Sequence, residues 1–314
     1  MAPATQTPSN RELTLEIEQL KHEKDAVVLA HYYVPAEVQD VADYVGDSYA
    51  LAKLAVELPQ STVVMCGVAF MGESAKLLNP GKTVLLPNPA ADCPMAHMVR
   101  KEDVDRVRAE NPGVAVVCYV NSTADIKSWS DVCVTSSNAV KICRELPQDT
   151  IFFIPDANLG RHVAEQLPEK RVILNDGCCP RHQAIAPEQV EAAKREHPGA
   201  LVLAHPECAK ETLAYADYIG STKGIIEFAE QSDAREFIVL TVAGVAHELE
   251  RRCAAAGKRV FFPSPVPCCP DMDTVTLERV AAALRGEVEP VGVDAATQDA
   301  ARATLDAMLD YAGR

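Results

Sequence analysis

The chain has 314 residues, room for about two or three domains. Its net charge of −15 argues against nucleic acid as a main partner, because phosphate backbones need a basic footprint. No apolar run approaches the roughly 20 residues of a membrane helix, and Met1–Asn10 is polar with no leader-like apolar core, so the expectation is a cytoplasmic protein with no membrane partner. The 11 cysteines are an odd number in a chain read as cytosolic, which favours buried thiols, catalytic thiols or metal ligands over a disulfide framework.

In chain order, Arg11–Glu23 has the amphipathic period of a helix and leads to the apolar run Val27–His31, read as a strand buried on both faces. A helical segment then reaches the turn Gly46-Asp47-Ser48. A strand at Thr62–Met65, a helix at Gly72–Leu78 and a strand at Thr83–Leu86 follow, before a loop carrying Cys93-Pro94. The same succession begins again with a helix at Lys101–Glu110, the turn Pro112-Gly113 and a strand at Val116–Tyr119. It continues through Thr135-Ser136-Ser137-Asn138, strand Ile151–Ile154, helix Gly160–Leu167 and strand Arg171–Leu174 to Cys179-Pro180. A third pass runs from helix Pro187–Glu196 through Pro198-Gly199 to strand Leu201–His205 and the turn Gly220-Ser221-Thr222. Strand Phe237–Leu240, helix Val245–Ala256 and strand Arg259–Phe262 then lead to Cys269-Pro270. A helix over about Ala296–Tyr311 ends the chain.

The distance from His31 to Ser48, from Tyr119 to Ser136 and from His205 to Thr222 is 17 residues each time. The Cys-Pro pairs are spaced by 86 and 90 residues, so the period is about 87. Strands alternating with helices imply βαβ crossovers and parallel sheets. The expected fold is therefore α/β: three homologous three-layer α/β/α domains with short parallel sheets about a pseudo-threefold axis. Their expected bounds are 10–110, 111–197 and 198–290, with a C-terminal helix in 291–314.

Ligands of open parallel sheets bind beyond the carboxyl ends of the strands. Equivalent residues gather there in each repeat: His31 and Tyr33, Tyr119 and Asn121, His205 and Glu207, and the hydroxyl-bearing turns at Ser48, Ser136 and Thr222. A single cysteine in a strand-end loop is ordinarily just small and buried. Three Cys-Pro pairs at equivalent places favour three metal-binding thiolates, Cys93, Cys179 and Cys269. The neighbours Cys178 and Cys268 leave the register open, and Pro after the cysteine decides for Cys179 and Cys269. Cys66, Cys118, Cys133, Cys143 and Cys253 fall within strand or helix patterns and read as core. Three thiolates fit an iron–sulfur cluster with one open iron, or a mononuclear zinc site in a lyase or hydrolase. A non-catalytic cluster carrier would not need the triplicated His, Tyr and Ser positions.

Several segments resemble the quinolinate synthase (NadA) family. They include Ala30-His31-Tyr32-Tyr33, Gly46-Asp47-Ser48, the run Gly67–Lys76 with Leu78-Asn79-Pro80, and Tyr119-Val120-Asn121. Further on are Thr135–Ala139, Pro155-Asp156 with Asn158-Leu159-Gly160, His205-Pro206-Glu207-Cys208, Gly220-Ser221-Thr222, and Met272 with Thr276-Leu277-Glu278. The resemblance spans about residues 11–286. It implies three α/β domains around a central site and a [4Fe–4S] cluster held by Cys93, by Cys179 in a Cys-x-x-His182 pattern and by Cys269 in a Cys-x-x-Met272 pattern. The implied reaction condenses iminoaspartate with dihydroxyacetone phosphate to quinolinate in NAD biosynthesis, with L-aspartate oxidase or another iminoaspartate source as the supplier. The implied substrate contacts are His31, Tyr33, Ser48, Asn121, Ser136 and Thr222, with Tyr119, His205 and Glu207 as proton-transfer residues. The sequence departs from the family pattern at Asn175, where Trp is usual, at Val242, where Glu is favoured, and at Asp273, where Lys is common.

Overall fold

The computed structural model describes residues 9–313. Met1–Pro8, on which most of the reading of a missing leader falls, and Arg314 lie outside the described residues. Among the described residues twelve strands form three sheets of four. In the first, β1 (Ala26–His31), β2 (Tyr44–Gly46), β3 (Thr62–Cys66) and β4 (Thr83–Leu85) are ordered β2-β1-β3-β4. In the second, β5 (Ala115–Tyr119), β6 (Val132–Val134), β7 (Thr150–Ile154) and β8 (Arg171–Leu174) are ordered β6-β5-β7-β8. In the third, β9 (Leu201–Ala204), β10 (Tyr218–Ile219), β11 (Glu236–Leu240) and β12 (Arg259–Phe261) are ordered β10-β9-β11-β12. Every pairing is parallel, so the α/β architecture of three like units is as the repeats imply.

The apolar runs became central strands because helices cover both faces: every residue of β1 and of β5 is buried. The edge strands β2, β6 and β10 went unread in the sequence. They are two or three residues long and sit inside what looked like turn motifs. One device makes all three. The carboxylates of Asp43, Asp131 and Asp217 accept the N–H of Val28, Val116 and Val202 at 2.8, 2.7 and 2.8 Å, and each aspartate N–H returns a bond to the same residue's carbonyl. That double bond pins the start of each edge strand to the strand beside it.

Helix Pro187–Glu196 packs Val190 and Ala193 against Val202, Ala204, Ile238 and Leu240 of the third sheet. Helix Leu277–Arg285, the next in that series, lies on the first sheet instead, against helix Asn10–Glu23 and β3. Arg285 closes this junction with a two-pronged ion pair to Glu16 at 2.7 and 2.6 Å. The C-terminal helix, Ala295–Gly313, crosses helices Ala69–Leu78 and Ala124–Ser128 and the edge strand β6, joining the first and second units. Among the described residues no helix is long and apolar enough to cross a membrane.

Candidate active site

β1 ends at His31, β5 at Tyr119, and His205 follows β9 directly. These strand ends open on one cavity of about 680 Å³. All twelve residues singled out from the sequence line it. His31, Tyr33, Ser48 and Cys93 come from the first unit. Tyr119, Asn121, Ser136 and Cys179 come from the second, and His205, Glu207, Thr222 and Cys269 from the third. The convergence is that expected of three units disposed about a common axis.

Each of the three cysteines caps a short helix that begins with proline: Pro94–His97, Pro180–Gln183 and Pro270–Asp273. Two N–H groups of each following turn favour the thiolate form: Met95 and Ala96 for Cys93, His182 and Arg181 for Cys179, Met272 and Asp271 for Cys269. Burial works the other way, pushing the Cys93 thiol up to about 12 and the Cys179 thiol well above its ordinary value. Buried sulfurs served by N–H donors are suited to a cationic centre that takes their protons away. None of the three is in a disulfide. Cys268 is exposed, and neither Cys178 nor Cys268 lines the cavity. Adjacent residues of extended backbone turn to opposite sides, and Cys179 is extended, so the pair 178–179 offers only one thiol to the cavity. Cys66, Cys118, Cys133, Cys143 and Cys253 are buried.

Asp156, at the end of β7, holds the second cysteine in place. It is fully buried, caps helix Ala157–Gln166 by accepting Leu159 N–H at 2.6 Å, and accepts Cys179 N–H at 3.0 Å. Asn175 donates to the carbonyls of Met98 and Pro155, tying the Cys179 loop to the first unit's cysteine loop. Val242 forms part of the apolar wall with Val68, Phe70 and Met272.

The polar floor is dominated by His182, which the sequence offered only as part of a Cys-x-x-His spacing. It is 1% exposed. Its Nδ1 lies 2.7 Å from Glu207 Oε2 and 3.2 Å from Cys179 Sγ, and its Nε2 lies 2.8 Å from Thr241 Oγ1. The donor atoms of Cys179, His182 and Glu207 lie within 4.8 Å of one another. Burial alone would raise the Glu207 carboxyl. The imidazoles of His182 and His205, with hydrogen bonds from His182 and Tyr119, outweigh it and hold the group ionised well below the usual range. Burial lowers His31 to about 4 and His205 to about 3, so both rings are neutral near pH 7. Burial and the Glu207 charge push the hydroxyls of Tyr33 and Tyr119 far up, keeping them protonated.

The hydroxyl-bearing turns complete the lining. Ser48 and Thr222 open helices Ser48–Glu57 and Thr222–Gln231, capped by Asp47 and Ser221. Asp47 also accepts the Ser137 hydroxyl at 2.7 Å across the junction of the first two units. Ser136 Oγ is 3.2 Å from His205 Nε2. The side-chain oxygens of Asn121 and Thr135 are buried and have no protein partner, which leaves them for a ligand. Arg181, unremarked in the sequence, stands at the exposed edge of the cavity.

Residues 15–310 match the family model described as NadA, quinolinate synthetase A protein. The chain belongs to this family. It is 48% identical over 295 residues to the quinolinate synthase of Caldicellulosiruptor bescii, covering 94% of this chain and 97% of that one. It is 46% identical over 297 residues to that of Fusobacterium nucleatum, covering 95% and 98%. The quinolinate synthase of Methanosarcina barkeri is 45% identical over 298 residues, covering 95% and 97%. The family's namesake enzymes thus align with this chain from the first helix to the last.

Proposed function

We propose that the protein is a cytoplasmic quinolinate synthase of NAD biosynthesis that condenses iminoaspartate with dihydroxyacetone phosphate. Cys93, Cys179 and Cys269 would hold a [4Fe–4S] cluster, and L-aspartate oxidase or another source would supply the iminoaspartate. The observation that carries the reading is the convergence of one proline-followed cysteine from each unit on the cavity that also receives the triplicated His, Tyr and hydroxyl positions. The donor set fits the group: three thiols, none disulfide-bonded, each facing N–H donors that stabilise sulfur's negative charge. When bound, such a cluster supplies an iron with an open position that acts as a Lewis acid toward a substrate oxygen.

The overall reaction releases one phosphate and two waters and balances without an outside oxidant or reductant. What it asks of the protein is anion binding, proton movement and exclusion of bulk water. Ser48 and Thr222, at the starts of their helices, and Ser136 bind the carboxylates and phosphate of the two substrates. Asn121 presents an unused buried oxygen to a substrate N–H or O–H. His31 and Tyr33 shape the side from which the first unit meets the substrate. The buried carboxylate of Glu207, with the neutral ring of His205 3.9 Å away and the Tyr119 hydroxyl beside it, accepts and returns protons. The 2.7 Å contact between His182 and Glu207 is a hydrogen-bond distance, shorter than the roughly 3.3 Å between two tetrahedral ligands of one zinc, so these residues read as an acid–base pair.

The test is anaerobic purification, an iron count and an assay with iminoaspartate and dihydroxyacetone phosphate. The expected result is a brown protein with about four irons that forms quinolinate. A colourless zinc protein with the same turnover overturns the cluster, and an iron-loaded protein that forms no quinolinate overturns the synthase.

A further inference from the structure

Behind the cavity wall, Thr241 joins side chains from all three units. It lies at the end of β11, fully buried, and does not line the cavity. Its Oγ1 is 2.6 Å from the hydroxyl of Tyr33 in the first unit and 2.8 Å from Nε2 of His182 in the second. Tyr33 is also 2.8 Å from Oγ1 of Thr222, and His182 Nδ1 is 2.7 Å from Glu207 Oε2. The result is one chain of contacts, Thr222–Tyr33–Thr241–His182–Glu207. Gly244, three residues past Thr241, touches the Tyr33 backbone closely enough that a Cβ there would sit 2.5 Å from its carbonyl oxygen. The arrangement is therefore clamped and not a loose contact.

A carboxylate only accepts, so Nδ1 of His182 donates to Glu207. The other ring nitrogen, Nε2, meets the Thr241 hydroxyl, and that same oxygen meets the Tyr33 hydroxyl, so one side chain holds both.

We infer that Thr241 is a positioning residue for the reaction: its hydroxyl anchors Nε2 of His182, so that Nδ1 of the ring faces Glu207, and at the same time holds the Tyr33 hydroxyl. The inference rests on the acid–base role given above to Glu207. It acts through His182 and Tyr33, since Thr241 itself reaches no substrate.

The test compares Thr241→Val, which keeps the shape and removes the hydroxyl, with Thr241→Ser, which keeps the hydroxyl. Loss of a partner that orients a site residue typically costs 10–100-fold in activity, so the Val variant should lose about that much in kcat with KM changed less than about threefold. The Ser variant should recover to within about threefold of wild type. Nitrogen-15 spectra of histidine-labelled protein should show the same His182 ring signals in the wild type and Ser variant, and shifted ones in the Val variant. Wild-type kcat in the Val variant, or equal impairment of Val and Ser variants with unchanged His182 signals, overturns the inference. If the wild type forms no quinolinate, it is the functional reading that fails, and the comparison of the His182 signals still decides the role of Thr241.

Discussion

Replacing Gly244 by alanine tests whether the first and third units are held in fixed contact. A Cβ at this position would lie 2.5 Å from Tyr33 O, 2.6 Å from its Cα and 2.7 Å from its carbonyl carbon. All three are backbone atoms, so no side-chain rotation relieves the overlap. Gln39 holds the same junction, donating from Nε2 to the carbonyls of Tyr32, Val34 and Gly244 at 3.0, 2.8 and 3.0 Å. Ordinary carbon contacts need about 3.5–4.0 Å, so the two units must part by about 1 Å. Overpacking of this kind costs about 1–3 kcal/mol. Stretching the Tyr33 hydroxyl away from Thr222 and Thr241 adds about 1 kcal/mol. The expected loss is about 2–4 kcal/mol, roughly 30- to 700-fold in the unfolding equilibrium at 1.4 kcal/mol per factor of ten. Urea unfolding of Gly244→Ala should be measured beside Gly81→Ala, where an added Cβ meets nothing within 4 Å. A midpoint for Gly244→Ala within about 0.5 kcal/mol of that control would refute the argument, since surface changes stay within that range.

Alanine at Cys93, Cys179 or Cys269 should each lower the iron content of the purified protein, whereas Cys178→Ala and Cys268→Ala should leave it unchanged; iron retained in the first set and lost in the second would reverse the ligand register. Glu207→Gln should lower kcat by about 10²–10⁴, the usual worth of a positioned acid or base, and a wild-type kcat would remove it from the proton-carrying residues. Stability should fall with pH below about 6.5. His31 and His205 have folded values of about 4 and 3, below their unfolded value near 6.5, so their contribution is complete above pH 6.5 and drains away as pH drops through 4 and 3, where the unfolded chain binds more protons. Urea midpoints that fall less steeply between pH 7 and 4 in the double variant His31→Gln/His205→Gln than in the wild type would assign that part of the slope to these rings; equal slopes would refute it.

The repeat carried most of what the sequence could say. Long buried strands announce themselves through apolar runs, and equal spacing then equates positions that would mean little alone, such as a lone His31 or His205. What stayed hidden has a physical reason in each case. β10 is two residues long, too short for any periodicity, and depends on one carboxylate reaching back 15 residues to Val202. His182 and Thr241 are 59 residues apart, and neither has a repeat counterpart that marks it. The choice between Cys178 and Cys179 rested on a following proline. The structure supplies the reason the choice matters: proline starts the short helix whose N–H groups face the sulfur. Arg181 went unread because an exposed arginine carries no pattern until a cavity is seen beside it.

The helix handed from each unit to the next also sets an order in time. The first sheet is translated early, yet the helix that lies on it, Leu277–Arg285, is among the last parts of the chain to emerge. Until then helix Asn10–Glu23, whose Leu13 and Ile17 are buried in the finished protein, lacks one of the elements it packs against. The middle unit waits as well, because its helix Ala124–Ser128 and edge strand β6 are covered by the C-terminal helix Ala295–Gly313. The molecule therefore closes as a ring rather than bead by bead, and a fragment cut after two units would be left with an unsealed face rather than two-thirds of a working protein.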